Sequence, residues 1–102
     1  MTVYGIVELE ITNVQAMGPY LAGVGATIAA HDGKYLVRPG PEQLSGNAEV
    51  VEGTAGARPL KVILEFPSMA AAKGWYNSDE YQAILPYRTQ NSKGNFVWLE
   101  GV

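Results

Sequence analysis

Residues Val3 to Ile11 alternate between two characters. Val3, Gly5, Val7, Leu9 and Ile11 fall on one side of an extended chain, and Tyr4, Ile6, Glu8 and Glu10 on the other. A period of two with one apolar side marks a half-buried strand. Thr12-Asn13 then supplies a turn or a helix N-cap. From there the period lengthens: Val14, Met17, Leu21, Val24 and Ile28 recur at helical spacing. Pro19 would break a helix begun at Asn13, so the spacing predicts one loose turn and then a main helix, with Gly18 near the cap and Pro19 at its first position. Gly23 and Gly25 each weaken that helix by up to about 1 kcal/mol against Ala. Packing must hold it, or the glycines permit close approach. Asp32-Gly33 ends it, with Gly33 expected as the left-handed cap.

Lys34 to Arg38 reads as a short strand, stopped by Pro39-Gly40-Pro41. Residues 40–58 are rich in Gly, Pro and Ala and predict a long loop, with room for a brief strand at Glu49-Val50-Val51-Glu52. Leu60 to Phe66 is the clearest strand, and Pro67 ends it. Ser68 caps a short helix over Met69 to Tyr76. Asn77-Ser78 breaks that helix, and Ser78 caps a further helical piece with Asp79 and Glu80 in its first turn. Pro86 is expected to end or kink this piece. Asn95 to Leu99 alternates again as a last strand.

The order strand, helix, strand, strand, helix, strand is the ferredoxin-like βαββαβ pattern, an α+β fold with a four-stranded antiparallel sheet. Right-handed crossovers give the strand order 4-1-3-2 and put the two most apolar strands at the centre. No repeat or linker divides residues 1–102, which predicts a single domain. Helices cover one sheet face only. Tyr4, Ile6 and Ile63 fall on the other, with Phe96 or Trp98 as candidate additions. An apolar face of this kind predicts association, and the symmetric solution packs two sheets face to face in a homodimer.

Composition removes several chemistries. The 102 residues contain no cysteine and one histidine, His31. Thiolate nucleophiles, disulfides and metal sites built on cysteine or on several imidazoles are therefore out of reach of one chain, and no cofactor is expected. Seven Lys and Arg against ten Asp and Glu give a net charge of -3, which argues against a nucleic-acid partner. The first fifteen residues carry no basic side chain, and no apolar run approaches the ~20 residues of a membrane span. The expectation is a soluble, cytoplasmic protein without membrane attachment.

Few residues are left to carry chemistry. His31 follows Ile28 by three on the apolar stripe, at the end of the first helix. It is a candidate general acid or base; the plainer alternative is a side chain bonded to the last helix carbonyls. Arg38, near the end of the second strand, is a candidate anchor for a carboxylate. Its alternative is a cross-strand ion pair with Glu65, itself a candidate pocket residue. Tyr20, Tyr35, Trp75, Tyr76 and Tyr81 are candidates to line a pocket for a flat organic ligand, or else serve core and dimer packing. Arg88 is expected in solvent or against a partner chain.

The stretches His31-Asp32-Gly33-Lys34-Tyr35-Leu36-Val37-Arg38, Glu65-Phe66-Pro67-Ser68 and Trp75-Tyr76-Asn77-Ser78-Asp79-Glu80-Tyr81-Gln82, closing at Arg88, resemble the domain-of-unknown-function family 1330 over nearly the whole chain. This chain departs from the family pattern at Asp32, Pro39 and Asp79. The resemblance implies a dimeric α+β barrel. It implies no single activity, because the wider superfamily of such barrels holds cofactor-free monooxygenases, isomerases, haem enzymes and plain binding proteins. Two functions follow as expectations: a cofactor-independent enzyme acting on a small organic molecule, with His31 as acid or base and Arg38 as anion anchor, or a non-catalytic dimer that binds such a molecule.

Overall fold

In the computed structural model, which describes residues 1–102, β1 runs from Val3 to Ile11 as the alternation requires. Val3, Gly5, Val7 and Leu9 are buried, and the intervening side chains are half-buried or exposed. A 3-10 turn over Gln15–Met17 leads into α1, Gly18–Ala30, with Pro19 in its first turn. Then come β2 (Lys34–Val37), β3 (Leu60–Phe66), α2 (Met69–Tyr76), α3 (Asp79–Thr89) and β4 (Ser92–Glu100). All strand pairs are antiparallel, in the order β2-β3-β1-β4. That is the expected 4-1-3-2 order, and the fold is ferredoxin-like α+β.

Local chemistry explains the helix boundaries. Ser68 and Ser78 each accept a hydrogen bond from the backbone N–H three residues on, Ala71 and Tyr81, which satisfies donors that a helix start leaves free. At the end of α1, Gly33 N–H donates to Ile28 O and Asp32 N–H to Ala29 O, a Schellman closure. The left-handed residue in it is Asp32, at φ 64°, and not Gly33 as expected. Gly33 has a different reason to be glycine: a Cβ there would run into the ring of Phe66.

Three further expectations are corrected. No strand forms at Glu49–Glu52. The loop there is held instead by side chains: the Asn47 amide exchanges two 2.8 Å hydrogen bonds with the Lys61 backbone, as a paired strand would. Lys61 Nζ donates to the carbonyls of Ala55 and Arg58 and to Glu8. Of the two outcomes expected at Pro86, the ending does not occur: Pro86 lies inside α3, which continues to Thr89. Phe96 and Trp98 face the helices rather than the open side, because β4 sets them opposite Val7 and Gly5 of β1. Gly5 leaves the room their rings occupy.

The interior has two unlike ends. At one, Phe66, Trp75, Tyr81, Val3 and Leu85 are packed with Val24 and Ile28 of α1. The Trp75 indole N–H donates to Thr27 Oγ1 at 3.0 Å, and Thr27 in turn donates to the Val24 carbonyl, so both buried polar groups are satisfied. At the other end Val7, Leu9 and Leu60 form a smaller cluster. The sheet's outer face carries Tyr4, Ile6 and Ile63 as expected, joined by Val97 and Leu99, which β4 pairs with Ile6 and Tyr4.

Candidate functional site

The small cluster of Val7, Leu9 and Leu60 borders a cavity of about 720 Å3, within the range of small-molecule pockets. Its floor is the helix face of β1 and β3. One wall is α1, through Tyr20, Leu21, Val24, Gly25 and Ile28. The opposite wall is Tyr35 of β2 with the following turn, Arg38 to Pro41, and Leu44; Arg88 of α3 and Phe96 of β4 complete it. Gly25 contributes open space, since a Cβ there would touch nothing within 4 Å. Leu21, half exposed at 50%, belongs to the helical stripe but borders the cavity instead of a packed core.

The sequence candidates fall into two groups. Tyr20, Tyr35 and Arg38 line the cavity. Arg38 makes no ion pair with Glu65. Glu65 instead meets Lys34, its register partner, at 3.2 Å. It lies between the core-facing Leu64 and Phe66, so the sheet separates it from the cavity. The Arg38 guanidinium stacks over the Tyr35 ring, 5.2 Å from its centre. Burial pushes the Tyr35 phenol up to about 12 and raises that of Tyr20, so both keep their protons at neutral pH.

His31, Trp75, Tyr76 and Tyr81 are not on the cavity wall. His31 caps α1 and its Nε2 lies 2.9 Å from Glu80 Oε1, in the first turn of α3. The imidazole N–H donates to the carboxylate, and that hydrogen bond is the chief reason the Glu80 carboxyl lies below its usual range. Trp75 is fully buried, with Phe66, Tyr76, Tyr81, Phe96 and Trp98 around it. Tyr76 packs edge-on against Phe96. Tyr81 is also fully buried, and its hydroxyl meets that of Tyr20 at 3.0 Å.

Arg88 is where the expectation of solvent exposure fails. It is only 8% exposed and reaches the cavity wall. Its guanidinium carbon lies 5.6 Å from the centre of the Tyr20 ring. The sequence held a sign of this: Tyr81, Leu85 and Arg88 stand at i, i+4 and i+7 and are the three buried residues of α3. No three His, Cys, Asp or Glu side chains gather in a metal-holding group, and no helix is long and apolar enough to cross a membrane.

Comparison with known proteins agrees with this architecture. The profile described as Domain of unknown function (DUF1330) matches residues 2–102. No curated protein matches the chain. Among solved structures, RPA0582, a protein of unknown function from Rhodopseudomonas palustris, superposes with a TM-score of 0.75 at 14% identity, covering 99% of this chain and 82% of that one. A dimeric ferredoxin-like protein of unknown function from Jannaschia sp. CCS1 gives 0.73 at 13% identity, over 99% and 100% of the two chains. Rv0793 from Mycobacterium tuberculosis gives 0.59 at 14%, over 100% and 96%. At these identities the likeness is one of fold.

Proposed function

This chain belongs to the family of the domain of unknown function DUF1330, and we propose that it is a non-catalytic binding protein that holds a small organic molecule between α1 and the sheet and works as a homodimer. The chemistry of the cavity wall carries this reading. The wall is mostly apolar, and its ionisable side chains are Tyr20, Tyr35, Arg38 and Arg88. Raised phenols and guanidinium groups exchange no proton near neutral pH, so this surface can bind and orient but lacks a general acid or base. The enzyme alternative relies on His31, which is engaged with Glu80 away from the cavity.

The dimer rests on the outer sheet face. Val97 and Leu99 are 49% and 53% exposed there, beside Ile6, Tyr4 and Ile63. A second copy of the same face would cover these rows; the structurally similar Jannaschia protein is itself described as dimeric, which supports pairing. The absence of cysteine fits a reducing cytoplasm. Native mass spectrometry of protein purified gently from its own host tests both parts. The expected species is two chains with retained small molecules that survive His31→Ala. A bare monomer overturns the dimer. Loss of the retained molecule on His31→Ala, with the fold intact, overturns the placement of the site.

A further inference from the structure

Arg88 carries a charge that no carboxylate in the chain answers. The three ion pairs are His31 with Glu80, Lys34 with Glu65 and Lys61 with Glu8. None includes Arg88, and no Asp or Glu lines the cavity. Its Nε is buried without a hydrogen-bond partner. A guanidinium does not lose its proton inside a protein, and an unpaired buried charge is costly. The face of the Tyr20 ring compensates it only in part. The Tyr20 and Tyr81 hydroxyls lie beside it and are bonded to each other. That bond uses one of their two protons. With Tyr81 donating to Tyr20, the Tyr20 proton remains free at the cavity wall, next to Arg88.

We infer that the Arg88 end of the cavity is a carboxylate site, built to take a small monocarboxylic acid whose remaining body is apolar. Arg88 supplies the counter-charge and Tyr20 a hydrogen bond. Leu60, Val62 and Phe96 face the apolar body. One buried guanidinium matches one negative charge and the planar shape of a carboxylate. A phosphate dianion would bring a second charge that only the water-exposed Arg38 could meet. Arg38 is exposed to water, where a charged contact contributes little. The inference rests on the small-molecule reading of the cavity and adds the class of the ligand.

Calorimetric titration with octanoate and octan-1-ol separates the two claims. The intact dimer is expected to bind octanoate on the order of tenfold more tightly than the alcohol. Arg88→Met is expected to abolish that preference while the alcohol still binds, and Arg88→Lys to keep part of it. Tyr20→Phe is expected to weaken octanoate alone, by roughly threefold. Without ligand, Arg88→Met should melt no lower than the parent, since it removes an unanswered charge. If the alcohol binds but octanoate is not preferred, or the preference survives Arg88→Met, the carboxylate site is wrong and the cavity reading stands. If neither probe binds, the cavity reading fails and the site with it. Displacement of octanoate by millimolar inorganic phosphate, or a melting point several degrees lower in Arg88→Met, would also overturn the inference.

Discussion

At Asp32 the backbone holds φ 64°, a conformation in which a Cβ costs free energy and glycine does not. Asp32→Gly is expected to raise stability by about 0.5 kcal/mol, after the added freedom of the unfolded chain is set against the relief. Gly33→Ala is expected to lower it by about 1–3 kcal/mol, because the new methyl meets the Phe66 ring. Urea denaturation of both variants checks the pair. Glu80 gives a pH prediction. Its folded carboxyl is held low, chiefly by the hydrogen bond from His31. The pairing therefore adds stability above the carboxyl's unfolded pKa, and that stability is lost as pH falls through its folded pKa. Glu80→Gln should be the less stable protein in urea at pH 7, and the gap should narrow as the pH falls through the folded carboxyl's pKa. Asp32-Gly33 marks the end of α1, but two adjacent residues able to turn the chain do not say which one does; the Phe66 ring decides. Arg88 sits on the buried stripe of α3, but charged side chains are so seldom interior that spacing alone does not place one there.

Helix α1 combines weak propensity with a functional wall. A Cβ added at Gly23 would meet Ile84 of α3 at an ordinary 3.6 Å, whereas one at Gly25 would face empty space. Gly25→Ala is therefore expected to stabilise the helix by up to about 1 kcal/mol. Gly25→Leu should fill part of the cavity and displace any bound molecule, read as the loss of ligand-induced thermal stabilisation. Elements were legible wherever one strong local rule applied: the alternation of β1, the serine caps of α2 and α3, the two prolines that follow β2. Elsewhere, partners in space decided. β4 is apolar on both faces, so its period of two identified a strand but not its inward side; Gly5 and Val7 of β1 supply that. Residues 40–58 read as a loop, but the brief strand expected at Glu49–Glu52 does not form; the Asn47 clasp on Lys61 that holds the loop joins positions fourteen apart and leaves no periodic trace.

Taken whole, the molecule is a sheet with helices on one side and apolar rows on the other. Leu99→Glu places a charge within those rows, opposite Tyr4. It is expected to yield a folded monomer by sedimentation, because burying an unpaired carboxylate between two sheets costs more than the lost apolar contact. The strand order 4-1-3-2 could be read from the chain because chirality and connection length leave few alternatives. The cavity could not, because it is a volume left unfilled by side chains from six separate segments.

The position of β4 at the border of the sheet has a further consequence. Its nine residues contain no proline, and its outer row of N–H and C=O groups has no partner within the chain. Asn95 to Leu99 combine two aromatic and two aliphatic side chains without a charge, between Lys93 and Glu100. Such a stretch is a template for cross-β growth once thermal opening exposes it, and only its two charged flanks oppose this. Asn95→Lys, set opposite Glu8, should delay thioflavin-positive aggregation on heating and leave the native spectrum unchanged. Unchanged aggregation kinetics in that variant would place the seed elsewhere in the chain.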